Sequence, residues 1–375
     1  MSRFVKRRLF FSLTSVLLVG GVLIILMCPH IFSTWLASPV ASHGVSPASP
    51  PSFLASIDTM KESRDTETHQ LSTNEISSIV KLSATVNANY ITVDTHWDYA
   101  DYIRQWVDAI RATGRHVWFR LQPNQWENAN GASGSMNPEQ YKHGEYNFIK
   151  TYHSLFQAGD ILDPCPEPEQ GHYWAKHYVH EWTANSPNTA TAAYNTFLRE
   201  TTDIANAALH EEGIKGVITS IRSINAFFAT HPDTLEQATV DKFGRITVDS
   251  YPERHLTDPD KATNARLSEL QTIENTWHVP IIIGEMGYSN DVPVDDAIQQ
   301  TVLKAEFAAL ASLSFLDGIN YWVGPGANGA GGYTYIFVHS GGEWAFRPAA
   351  YELTAFYKTM LSRKVFFGGF HGTYI

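Results

Sequence analysis

From residue 53 onward, strand-like apolar runs alternate with amphipathic helical stretches, and this alternation limits the fold more than any other property of the chain. Strands are expected at Phe53–Thr59, Tyr90–Thr95, His116–Leu121, Asp160–Pro164, Lys215–Ile221, Arg245–Ser250, Val279–Gly284 and Gly318–Val323. Between and after them the spacing predicts helices over Thr73–Asn87, Tyr102–Thr113, Pro138–Phe156, Thr191–Glu212, Thr263–Trp277, Val294–Ser314 and Arg347–Ser362. Ser72 and Thr73 are capping residues for the first helix, with Glu75 in its first turn, while Gly114 and Gly213 stop two others. Strand–helix alternation over a whole domain means parallel strands joined by crossover helices. Eight such strands are what an α/β protein of the (β/α)8 TIM-barrel type requires. The competing architecture is a doubly wound open sheet. No hairpin or repeat signal is read.

The N-terminal part obeys different rules. Arg3, Lys6, Arg7 and Arg8 precede an uncharged run, Leu9–Cys28, dominated by Leu, Val, Ile and Phe. That order matches a signal peptide or a membrane anchor, the run being long enough to span a bilayer at about 1.5 Å per residue. A small-residue cleavage pattern follows at Val40-Ala41-Ser42. Residues 1–37 are therefore read as leader or anchor, 38–52 as a Ser/Pro-rich linker, and 53–375 as the barrel. The positive-inside rule places the barrel outside the cytoplasm, secreted or anchored facing outward. With only Cys28 and Cys165, removal of the leader leaves no pair for a disulfide. The net charge of −11 and the lack of a basic face beyond the first residues exclude nucleic acid as a partner. A monomer is expected, touching a membrane only through an uncleaved N-terminus.

Two short segments carry residues suited to chemistry. In Ile281-Ile282-Ile283-Gly284-Glu285-Met286-Gly287, three β-branched residues form a buried strand that leads into a glutamate between glycines. A lone carboxylate is costly to bury, and the C-terminal strand ends of a barrel face the active-site mouth. The second segment, Asp163-Pro164-Cys165-Pro166-Glu167-Pro168-Glu169-Gln170-Gly171, is a turn stiffened by three prolines at the same face of the barrel. If its backbone is extended, only one of Glu167 and Glu169 points into the mouth.

A Glu after strand four and a Glu after strand seven resemble the retaining glycoside hydrolases of the (β/α)8-barrel clan that includes cellulases and β-mannanases. Gly284-Glu285-Met286-Gly287 is similar to that clan's nucleophile turn. Pro166-Glu167-Pro168 matches its Asn-Glu-Pro acid/base motif in the last two residues, with Pro166 where the clan has an Asn that contacts the sugar 2-hydroxyl. The resemblance implies Glu285 as nucleophile, Glu167 or Glu169 as acid/base, and Tyr251 after strand six beside the nucleophile. It also implies Trp322 after strand eight as a sugar platform and Arg120 at the end of strand three as a steadying cation. The implied function is cleavage of an O-glycosidic bond in an oligo- or polysaccharide, with transglycosylation through the same covalent intermediate, and no cofactor or metal. The alternative is a catalytically inactive barrel that binds a cell-surface or extracellular glycan. A barrel of isomerase or aldolase type would want a phosphate site, a metal or a strand-end Lys, and no strand end offers that Lys.

Trp97, Trp126, Trp174, Trp182 and Tyr173 fall in expected loops and are candidate sugar-stacking surfaces, Trp97 and Trp174 being carried forward as substrate-binding. The spacing of His172, His177 and His180 fits no strong metal signature. Gly324-Pro325-Gly326-Ala327-Asn328-Gly329 matches a dinucleotide fingerprint only formally, because a strand-like Tyr333–Val338 follows where that motif needs a helix.

Overall fold

The computed structural model describes residues 53–124, 126, 136–171, 173–174, 189–229, 231–252, 256–288, 295–326 and 334–363. The leader and linker, Trp182, and His172, His177 and His180 lie outside them, as does part of the Gly324–Gly329 loop. Eight parallel strands form one sheet in the order β4-β3-β2-β1-β8-β7-β6-β5. They are β1 (Leu54–Asp58), β2 (Tyr90–His96), β3 (His116–Gln122), β4 (Ile161–Asp163), β5 (Ser223–Asn225), β6 (Ile246–Asp249), β7 (Ile281–Met286) and β8 (Leu316–Tyr321). The two ends meet through a parallel bridge between Ile161 and Ile218. Flanking bonds from Leu162 N to Ile218 O (2.9 Å) and Glu167 N to Ser223 O (2.9 Å) extend that closure. The fold is a (β/α)8 barrel, with the expected helices on its outer face.

The helices begin where capping chemistry allows. Ser72 and Glu75 form a reciprocal capping box at the start of Thr73–Thr85, and Asn137 and Gln140 form another at Pro138–Thr151. Asp258 and Asp295 cap Pro259–Trp277 and Asp296–Leu310 through side-chain acceptors.

Two expectations are corrected. The stretch Lys215–Ile221 pairs with β4 through a single bridge, at Ile218, and the fifth strand proper is Ser223–Asn225. Gly216 sits at φ +77°, outside strand geometry, so the expected strand is broken at its start, and pairing with β6 begins at Ser223. The second correction is a hairpin. β9 (Phe337–Ser340) and β10 (Glu343–Phe346) pair antiparallel, outside the barrel sheet, around Gly341-Gly342. Both glycines take positive φ, +62° and +86°, as a two-residue hairpin turn demands. The Gly-Gly pair was the signal that the sequence offered.

Inside the barrel, Leu54, Tyr90, Trp118, Ile161, Ile221 and Ile282 pack as an apolar plug near the start of the strands, separate from the clusters facing the helices. Further along, the lining turns polar. Ser56 and Thr92 share a hydroxyl hydrogen bond of 2.8 Å, Thr92 donates to Asn320 Oδ1 (2.9 Å), and Asn320 donates to Asp58 and to Gly284 O (both 2.9 Å).

The β6–β7 register contains a bulge. Thr247 pairs with Ile282 and Val248 with Ile283, but Asp249 pairs with Glu285, so Gly284 is the extra residue. Strict alternation from inward Ile282 would turn Glu285 toward the helices and Met286 into the barrel. The bulge reverses this, and Met286 joins the helix-facing core.

Candidate active site

Glu285, turned inward by the bulge, meets two side chains expected near it. Arg120 Nη1 donates to its Oε1, and Tyr251 Oη donates to Oε2 at 3.2 Å. Arg120 belongs to β3, whose inward Trp118 fills the apolar plug one alternation below it. The guanidinium is buried, and it also reaches Asp58 (3.4 Å), Asp249 (3.6 Å) and Glu167 (3.8 Å). Burial opposes its charge, but Glu285, Asp249, Asp94 and Asp58 outweigh that and hold it protonated well above its ordinary range.

The proline-rich turn separates its two acids. Glu167, between Pro166 and Pro168, adopts a left-handed conformation (φ 40°, ψ 55°), and Pro168–Gln170 form a 3-10 turn. A left-handed non-glycine residue stores about 1–3 kcal/mol of strain, a cost typical of functional positions. Oxygen atoms of Glu167, Asp249 and Glu285 all lie within 4.8 Å of one another. Asn225, the last residue of β5, donates from Nδ2 to Glu167 Oε1 at 2.8 Å. Glu169 turns into the protein instead, where the Asn225 backbone N–H and Tyr194 Oη (3.0 Å) bind it. Burial pushes its carboxyl up to about 7. One acid thus fixes the backbone of Asn225, and the Asn225 amide holds the other acid.

Tyr251 is half-buried, and Glu285 and Asp249 add to burial in raising its hydroxyl well above the phenol range. Trp322 is half-buried as well. Its ring meets Tyr251 edge to face (6.0 Å between centroids), its Nε1 donates to Met60 Sδ (3.3 Å), and the Lys61 ammonium stands 5.8 Å from its centroid. The Trp322–Val323 peptide is cis.

The expected stacking surfaces fare differently. Trp174 is 2 % exposed and packs on Tyr173, Tyr194 and Phe197, while Trp126 is fully buried against Tyr141 and Phe197. Those faces are occupied by aromatic neighbours, which corrects their reading as sugar surfaces. Trp97 stacks on Phe148 (5.8 Å, 17°) and touches Tyr141, so it packs onto the Pro138–Thr151 helix.

Sequence reasoning missed Asp58, Asp249, Asn225 and Asn320. Asp58 ends β1 and Asp249 ends β6, each a carboxylate closing an apolar strand, which is the signal that singled out Glu285. Burial, reinforced by Asp94 and Glu285 against the pull of Arg120, lifts Asp58 to about 7. Glu167, Asp249 and Glu285 have the donor set and proximity of a cation site. Arg120 already stands against all three as their counter-charge.

No family model matches the chain, and no curated protein matches it. Among solved structures it is similar to GH5_18 from Streptomyces cattleya in complex with GlcNAc (12% identity, TM-score 0.58, covering 85% of this chain and 82% of that one). It is also similar to a GH113 β-1,4-mannanase (11% identity, TM-score 0.50, 84% and 100%). A third is the β-glucuronidase of Ruminococcus gnavus (12% identity, TM-score 0.55), where 82% of this chain covers 50% of the enzyme, about half its length. At these identities the likeness is one of fold: the chain is a (β/α)8 barrel of the kind on which these glycoside-cleaving proteins are built.

Proposed function

We propose that the protein is a glycoside hydrolase acting on an oligo- or polysaccharide by a retaining mechanism. The observation that carries this reading is the approach of Glu167 and Glu285 at the barrel mouth, their oxygens within 4.8 Å. Retaining enzymes place their two carboxyl groups about 5–5.5 Å apart, whereas inverting ones leave room for a water at about 6.5–9.5 Å. Arg120 and Tyr251 both donate to Glu285, one to each carboxylate oxygen, and so orient the nucleophile. Glu167, bound by the Asn225 amide and partly open to solvent, serves as the acid. Glu169, enclosed by Tyr194 and Asn225, supports it from behind.

In the first step a Glu285 oxygen attacks the anomeric carbon while Glu167 gives its proton to the departing glycosidic oxygen. In the second, Glu167 takes a proton from water, whose oxygen displaces Glu285 from the sugar. A second sugar in place of water gives transglycosylation. The glycosidases among the similar folds support a carbohydrate substrate. Trp322, beside Tyr251, offers an aromatic face.

The test is a panel of aryl glycosides and polysaccharides, followed on the cleaved member by NMR of the first-formed anomer and by trapping with the matching 2-deoxy-2-fluoro glycoside. Retained configuration and a label on Glu285 are expected. An inverted anomer sinks the retaining mechanism. Glycan binding with no turnover and no label favours the inactive binding barrel.

We also propose that residues 1–37 export or anchor the barrel outside the cytoplasm, from the basic start and the uncharged Leu9–Cys28 run. Among the described residues no helix is long and apolar enough to cross a membrane. N-terminal sequencing of the native protein, with cell fractionation, decides between cleavage and anchoring, and cytoplasmic recovery rejects both.

A further inference from the structure

Asp249 is an acid of the site that the two-carboxylate mechanism does not use, and it lies nearest both acids that the mechanism does use. It ends β6, is 2 % exposed, and pairs in register with Glu285. One of its oxygens lies within 4.8 Å of oxygens on both Glu167 and Glu285. Neither oxygen has a hydrogen-bond partner among the described residues, the Arg120 guanidinium being 3.6 Å away. The backbone makes room for it: a Cβ on Gly284 would lie 2.5 Å from Asp249 Oδ1 and 2.7 Å from Ser223 Oγ. The charges facing it are Arg120 from β3, Glu167 and Glu169 from the proline turn, and Glu285 from β7.

Charge balance in this enclosure decides the protonation state. Arg120 is the guanidinium shared by Asp58, Glu167, Asp249 and Glu285. Four ionised carboxylates around one cation, with water largely excluded, are unfavourable, so protons must reside on some of them. Glu285 has the closest cation contact and the Tyr251 hydroxyl, whereas Asp249 has neither a donor nor solvent. Burial first, then the Glu285 charge, lifts its carboxyl well above the ordinary range, against Arg120. A carboxylic acid kept neutral in this way is a hydrogen-bond donor.

We propose that Asp249 is a third working acid of the site, a proton-bearing donor to a hydroxyl of the sugar bound between Glu167 and Glu285. This rests on the glycosidase reading for the identity of the acceptor. The asparagine variant preserves shape and donor capacity without a carboxyl proton, while alanine removes the donor.

Two measurements test it. In the unliganded protein at pH 7, the infrared difference between wild type and Asp249→Asn is expected to show a protonated-carboxyl band belonging to the wild type. Carboxylate bands alone overturn the proposal. On the 4-nitrophenyl glycoside that the wild type cleaves, Asp249→Ala is expected to lose about 100-fold in kcat/KM, the effect of removing one donor to the reacting centre, with Asp249→Asn within a few-fold of wild type. If asparagine falls as far as alanine, Asp249 works as an anion and the proposal is wrong. Full activity in Asp249→Ala also rejects it. If Asp249→Ala does not fold, the infrared band and the asparagine kinetics decide. A wild type that cleaves no glycoside rejects the glycosidase reading and the donor role with it, while the infrared band still reports the proton.

Discussion

Arg120 is held by more opposing charges than any other side chain described here, and its removal separates structure from chemistry. Replacing it with Met leaves Asp58, Asp249 and Glu285 buried without their cation. Breaking a buried pair by removing one partner costs about 3–5 kcal/mol, so urea unfolding of Arg120→Met should show a loss of that size. Tyr251→Phe is milder. It removes one donor to Glu285 and should lower kcat/KM roughly 10- to 100-fold with the fold intact, a loss expected from one hydrogen bond to a charged group. Glu167→Gln should lose about 100- to 10,000-fold on substrates with poor leaving groups and far less on activated aryl glycosides, whose departure needs no acid. At this scale the sequence brought Glu285, Tyr251 and Arg120 forward, because each stands near the C-terminal end of a strand. It did not separate Glu167 from Glu169, because the two-residue alternation of an extended chain does not apply to a left-handed residue followed by a 3-10 turn.

Elements built from β-branched or aromatic apolar runs were legible nearly to the residue, β2 and β3 most clearly. Helix starts were legible where a cap announced them, as at Ser72. What escaped was geometry that composition does not encode: the late start of β5 and the extra residue in β7. The hairpin was a misreading, since Gly341-Gly342 stood in plain view. Replacing both glycines with alanine should cost about 1 kcal/mol or more at each left-handed position, measured by thermal unfolding. Gly284→Ala acts on the site itself. Its methyl group would meet Asp249 and Ser223 at 2.5 and 2.7 Å, so β7 must shift and carry Glu285 with it. Turnover should fall by two orders of magnitude or so, the order of loss expected when a reacting group is displaced by about 1 Å, while the circular dichroism of the barrel persists.

The whole molecule stores protons in its interior. Asp58, Glu62 and Glu169 are each pushed to about 7, with burial the leading cause. Raised carboxyl values mean that the folded state binds more protons than the unfolded chain, so stability is greatest below the unfolded values near pH 4 and falls as pH rises toward 7. The melting temperature should therefore be higher at pH 5 than at pH 8. Glu169→Gln should flatten that slope by roughly 3 kcal/mol at most, at about 1.4 kcal/mol per pK unit. A melting temperature unchanged between the two pH values would mean that these groups ionise freely in the fold. The eightfold alternation was legible across this scale, while the crowding of acids around one guanidinium was not, because its members come from β1, β3, β6, β7 and the turn after β4. The bulge at Gly284 has one more consequence. A barrel strand carries two interleaved texts, one read by the surrounding helices and one by the lumen, and in β7 a single residue changes which text comes next. Running the same residues through in strict alternation, without the bulge, would trade a carboxylate for a thioether at the mouth while leaving the composition untouched. The identity of the group that faces a substrate here is a matter of parity, and two chains with the same hydrophobic pattern can differ in it completely.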